Sequence, residues 1–116
     1  MTEGRLDAET AKIVTLARAV RARTGAAEGA AVRDLDGRTY AAAAVSLSSL
    51  RLSALEVAVA MAVSSGAAGL EAVAVVTSAD DSDERVGIAA VRDLGGAGVP
   101  VYMAGSDGAV RLTLTT

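Results

Sequence analysis

One stretch limits the fold more than any other. Ser53 to Gly66 reads SALEVAVAMAVSSG, a helix-length run whose single charge, Glu56, stands near its start. A helix that borders water carries polar residues on one face, whereas one that is apolar nearly all round is buried on more than one side. The segments before and after it read as strands, so the run is a crossover helix lying on a sheet. Its second face then has to meet something beyond that sheet, and another subunit is the expected occupant.

The rest of the composition narrows what such a core can be. The 116 residues suit a single domain, 1–116. A chain of this size buries roughly two thirds of its unfolded surface. Hydrophobic residues make up 52% and aromatics 2%, with no Phe and no Trp. The core is therefore built from Ala, Val and Leu, which allow close approach but bury little area each. Net charge is −3, and ten of the eleven basic residues are scattered arginines, with Lys12 the eleventh. That argues against nucleic acid and against an anionic membrane, both of which favour a basic patch. The first segment is polar and charged, unlike a signal peptide, and the longest apolar run is too short to span a bilayer. A soluble, cytoplasmic protein is expected.

The absences exclude most catalytic chemistry. With Cys 0 and His 0, the chain has no disulfide, no thiolate or imidazole metal ligand, and no Ser-His-Asp or Cys-His nucleophile system. Acid–base work at neutral pH falls to carboxylates, Lys12, Tyr40 or Tyr102.

Periodicity and breakers give the order of elements. Residues 7–23 form an amphipathic helix, with Ile13, Leu16, Ala17 and Val20 at three- and four-residue spacing. Asp36-Gly37 marks a hairpin between strands at about 29–34 and 38–46. A Ser-rich approach follows, in which Ser49 or Ser53 caps the apolar helix; the helix runs to about Ser65, with Gly66 at C′. LEAVAVVTS, 70–78, shows little alternation, as in a strand buried on both faces. An acidic loop with Asp83 as cap opens a helix within 79–96, which Gly95-Gly96 stop. Strands at 98–105 and 109–116 close the chain. The order is α-β-β-α-β-α-β-β, an α/β arrangement with a mixed five-stranded sheet. Strand–helix–strand units favour parallel pairing with right-handed crossovers, and the tight turns favour antiparallel hairpins.

This order, with several local phrases, resembles the small homotetrameric cytidine deaminases. GAAVRDLDGRTYAAAAVS is similar to that family's first hairpin, AVSSG at 62–66 to the end of its zinc helix, LEAVAVVTS to its central strand, and VPVYMAGSDGAVRLTLTT to its closing hairpin. The resemblance runs from about residue 8 to 114 and implies a three-layer cytidine deaminase-like fold. It also implies a zinc site in which one Cys or His and two Cys hold the metal and a Glu shuttles protons, in the pattern H/C-x-E…P-C-x-x-C. That chemistry is not carried by these residues. Counting back from AVSSG places the first tripeptide on Ser53-Ala54-Leu55, and counting forward from the hairpin places it on Leu55-Glu56-Val57. Only the intermediate register, Ala54-Leu55-Glu56, keeps the Glu, and none supplies a ligand. The loop SADDSDERVGIAA has no Pro-Cys and no cysteine pair, and the family's ribose-binding Asn and Glu fall near Ala44 and Ser46.

The candidate sites are few. Glu56 is either a remnant proton shuttle or an acid placed to favour the helix dipole. Ser46, Ser48 and Ser53 lie where a ligand pocket is implied, and such serines more often cap helices and fill loops. Asp80, Asp81, Asp83 and Glu84 lack the spacing of an oxygen-ligand cation loop, and GGAG at 95–98 follows a helix and so is a turn rather than a phosphate cradle. The expectation is a catalytically inactive cytidine deaminase-like protein with no zinc and no cofactor, acting in a structural, regulatory or interaction role as a homotetramer or homodimer. The alternatives are a divergent cytidine or deoxycytidine deaminase of pyrimidine salvage, and a module that binds a nucleoside or another small metabolite. The discriminating feature is the junction where the two sheet helices start: side chains such as Leu55, Val86 or Ile88 either fill it or leave a polar cavity facing Glu56.

Overall fold

The computed structural model describes residues 7–78 and 85–116. The first helix, α1 (Ala8–Thr24), starts where the Asp7 side chain accepts a 2.7 Å hydrogen bond from the Thr10 N–H, and it stops at Gly25, whose φ is +70°. Then come β1 (Glu28–Asp34), β2 (Thr39–Ala43), β3 (Val45–Leu47), β4 (Leu50–Leu52), α2 (Ala54–Ser64), β5 (Leu70–Thr77), α3 (Arg85–Gly95), β6 (Pro100–Ala104) and β7 (Val110–Thr115). The acidic run with Asp80, Asp81, Asp83 and Glu84 lies outside the described residues, as does the side chain of Val86.

Five strands form one sheet in the order β2-β1-β5-β6-β7. Two features depart from the sequence expectation. The strand expected over 38–46 ends at Ala43; Val45–Leu47 instead turns back on Leu50–Leu52 as a separate small hairpin, so the Ser-rich approach holds a strand of its own. The strands joined by α2 are also not neighbours. β1 lies between β2 and β5 and is antiparallel to both, so that β5 and β6 alone among these strands pair in parallel. The β1 strand takes this place because the short hairpin folds β2 onto its outer edge and leaves the inner edge for β5. Among the described residues, no helix is long and apolar enough to cross a membrane.

The two central strands are covered on both faces, and side-chain size divides them. On β1 and β5, Ala30, Val32, Val73 and Val75 face the core beneath α2 and α3, together with Val101 and Met103. The opposite face presents Ala31, Ala72, Ala74 and Val76 to Ile13, Val14 and Ala17 of α1. Small residues let α1 lie close to the sheet. At Gly29 the approach is closest: a methyl there would land on the Ala17 carbonyl oxygen and 2.9 Å from the Arg21 Cβ. The buried Arg33, on this same face, donates from Nη1 to the Glu9 carbonyl at 3.0 Å and lies 3.4 Å from a Glu71 oxygen, while its Nε is buried without a partner.

Asp34 locks the first hairpin. It is 1% exposed, and its Oδ1 accepts from the N–H groups of Asp36 and Arg38, both at 2.9 Å. Its Oδ2 accepts from the Tyr40 hydroxyl, also at 2.9 Å. Burial by itself raises this carboxyl, but the three donors outweigh it and hold Asp34 below the ordinary 3.8. The bond to Asp34, then burial, push the Tyr40 hydroxyl above the ordinary 10.0. A depressed carboxyl stabilises the fold above its ordinary value and loses that effect as pH falls through its folded value; a raised phenol stabilises the fold below its ordinary value and loses that effect as pH rises through its folded value. Tyr40→Phe is therefore expected to melt below the wild type at neutral pH. The gap should narrow in strong acid and again above the ordinary tyrosine range, as read by thermal unfolding across pH.

Candidate functional site

Strands β2 and β5 run in the same direction, so α2 and α3, which follow them, both start at the same end of the sheet. There the two helices meet on the face opposite α1. Any chemistry borrowed from two helix starts has to occur at this junction.

The start of α2 is a closed capping box. Ser53 is the N-cap with extended backbone, and its Oγ accepts from the Glu56 N–H at 3.1 Å. Glu56 reaches back, and its Oε1 accepts from the Ser53 N–H at 2.8 Å. Two donors that a helix start leaves without intrahelical partners are thus satisfied reciprocally. Apolar packing begins within the same turn. Leu55 is 2% exposed and belongs to the core cluster under α2 and α3. It lies against Gly87 in the first turn of α3: a Cβ at Gly87 would stand 2.5 Å from the Leu55 Cβ and 2.7 Å from its Cγ. Ile88 is half-buried against the same cluster.

The other candidate residues are not gathered here. Ser46 pairs across the small hairpin with Arg51, and Ser48 stands at its turn; both are exposed. Ala44 packs half-buried against the core. Tyr40 is engaged with Asp34 in the first hairpin, and Tyr102 is half-buried on the α1 face of β6. Of the serines singled out in the sequence, Ser53 alone reaches a helix start, and its oxygen is engaged in the cap.

The residues at the junction do not fit zinc. A catalytic zinc takes three protein ligands from thiolate, imidazole or carboxylate, and the chain has neither Cys nor His. The carboxylate that the start of α2 offers already accepts the Ser53 N–H. Where the first turns of α2 and α3 meet, a leucine lies against a glycine, with no donor atom from either side chain. Among the described residues, no group of three or more His, Cys, Asp or Glu side chains is arranged to hold a metal ion.

Two roles were not assigned from sequence. Gly87 was read as one residue of a helix, although glycine is a poor helix former and its presence in a helix hints at close backbone approach. Asp34 was overshadowed by the adjoining Asp36-Gly37 turn, although a Tyr six residues later is well spaced to meet it across the hairpin.

Known proteins share the fold. A cytidine deaminase from Burkholderia pseudomallei superposes with a TM-score of 0.78 at 21% identity, covering 99% of this chain and 93% of that one. A cytidine deaminase from Mycobacterium leprae superposes with a TM-score of 0.68 at 20% identity, covering 96% of this chain and 94% of that one. At such identities the likeness is one of fold. No curated protein sequence gives a significant match. The family model described as cytidine deaminase-like matches residues 6–108. That match spans most of the elements described above, and the chain belongs to the cytidine deaminase-like family.

Proposed function

We propose that this chain is a catalytically inactive member of its family, a cytoplasmic protein that holds no zinc and serves a structural, regulatory or interaction role as a homo-oligomer. The observation that carries the reading is Leu55, 2% exposed and lying against Gly87 where the two helix starts meet. An activated water needs a Lewis acid to bring its pKa near 7, and an apolar side chain at the junction binds no metal. Glu56, the remnant candidate for proton transfer, holds the helix cap instead.

Support for assembly comes from the outer side of α2. From Val57 to Leu70 the chain carries no charge. Ala60, Met61 and Val63 on α2 are exposed, with Met61 at 39% and Val63 at 55%. An uncharged face of this kind suits a second copy of the chain, which buries it by two-fold symmetry in a dimer or tetramer.

Purified protein is expected to contain far less than stoichiometric zinc by elemental analysis and to release no ammonia from cytidine or deoxycytidine above the buffer rate. Bound zinc with turnover of either nucleoside overturns the reading. Capping is tested by unfolding in urea. Ser53→Ala is expected to cost about 1 kcal/mol, whereas Glu56→Gln, which still reaches the Ser53 N–H, leaves the midpoint nearly unchanged. Light scattering at micromolar concentration is expected to give a dimer or tetramer of the 11.5 kDa chain, and Val63→Glu is expected to shift it toward monomer.

A further inference from the structure

The face by which α3 docks is a short ladder. Gly87, Val91 and Gly95 stand four residues apart, so they share one side of the helix. Val91 is fully buried. At Gly95 an added Cβ would stand 2.7 Å from the Val99 Cγ2 and 3.1 Å from the Leu70 Cβ, which ties that end to the first residue of β5 and the residue before β6. At Gly87 the neighbour is Leu55 of α2, with Cβ, Cγ and Cδ2 all within 2.8 Å of an added methyl. The helix rests chiefly on α2 and touches the sheet lightly at β5. Its two ends are thus fastened to different parts of the molecule: Gly95 at the far end to Leu70 and Val99, and Gly87 in the first turn to Leu55 of α2, with Ile88 half-buried against the same core.

We propose that the Leu55–Gly87 contact is a latch on the first turn of α3. Closed, it seals the two helix starts as a dry junction. Broken, it frees the first turns of α3 from α2 while Val91 and Gly95 keep the far end docked, and the space between the helix starts opens to water and small solutes. The latch depends on the absence of a side chain at 87, since any Cβ there displaces the leucine or the helix. It goes beyond the inactive reading of the junction, because it concerns what holds α3 and stands whether or not a nucleoside is turned over.

A double-mutant cycle tests this. Gly87→Ala alone is expected to lower the thermal midpoint by about 5 °C through overpacking. In a Leu55→Gly background, which also removes the Leu55 Cβ that an added methyl at 87 would meet at 2.5 Å, the same substitution fills the vacated space, and its effect is expected to vanish or change sign. Hydrogen exchange by NMR gives the second readout. Leu55→Ala is expected to speed exchange of the α3 amides from Ala89 to Val91 about ten-fold or more, while Arg92 to Leu94 and β5 change little. Equal effects of Gly87→Ala in both backgrounds, or exchange that rises uniformly across α3, overturn the latch. If Leu55→Gly does not fold, Leu55→Ala, which removes the Cγ and Cδ2 contacts, carries the same cycle with a reduced effect of Gly87→Ala expected. Zinc content and deamination of the unaltered protein are read separately, so the loss of either inference leaves the other intact.

Discussion

The structure depends on close approach between small side chains. A core without Phe or Trp gains little from each residue it buries, and the compensation is density. β1 and β5 are sandwiched on both faces, with Gly29, Ala31, Ala72 and Ala74 letting α1 settle onto the sheet. The same economy recurs on the other face, where Gly87 and Gly95 bring α3 into contact with Leu55, Val99 and Leu70. In such a molecule a single methyl is a large perturbation, because the atoms it would meet at Gly29, Gly87 and Gly95 include backbone and Cβ atoms, which cannot swing away.

The same constraint governs the place where related folds could carry chemistry. Two helix starts converge at one end of the sheet, each with backbone donors to satisfy. On α2 the side chains of Ser53 and Glu56 supply that need between themselves. Between the helices, Leu55 lies against Gly87. A site that binds a metal or a polar ligand needs the reverse: unsatisfied donors or acceptors held open by their surroundings. The Ser53 and Glu56 side chains are engaged with their own helix start and the contact between the helices is apolar, which is why a structural or interaction role is the reading proposed for the junction.

Much of the fold was legible in the sequence, and the reasons are local. The Asp36-Gly37 turn, the Gly66 stop, the amphipathic first helix and the apolar run of β5 all express backbone preferences or periodicity that a short window contains. The small hairpin of β3 and β4 escaped, because its three-residue strands are too short to show a period and its serines read as a loop. The insertion of β1 between β2 and β5 escaped as well, since a crossover helix between two strands does not reveal whether a third lies between them. At the junction, Leu55 was recognisable as a residue able to fill it, and Glu56 as a capping acid or a relic. Its partner Gly87 stands out only as a glycine inside a helix, which hints at a close approach without naming the neighbour.

The sequence by itself determined which chemistry the chain lacks: without Cys or His, no fold can assemble thiolate or imidazole ligands. It also determined the order of helices and strands, through preferences each segment carries alone. The tertiary structure decided where those segments meet. It set Leu55 on Gly87, turned the Glu56 carboxylate back onto its own helix start, and buried Asp34 beneath Tyr40. Two of these contacts join distant or opposing segments, and the third depends on how α2 is entered. The Leu55–Gly87 contact is selected by the packing of the whole core, which no single stretch of sequence encodes, whereas the other two span three and six residues and need only the helix start and the hairpin to form.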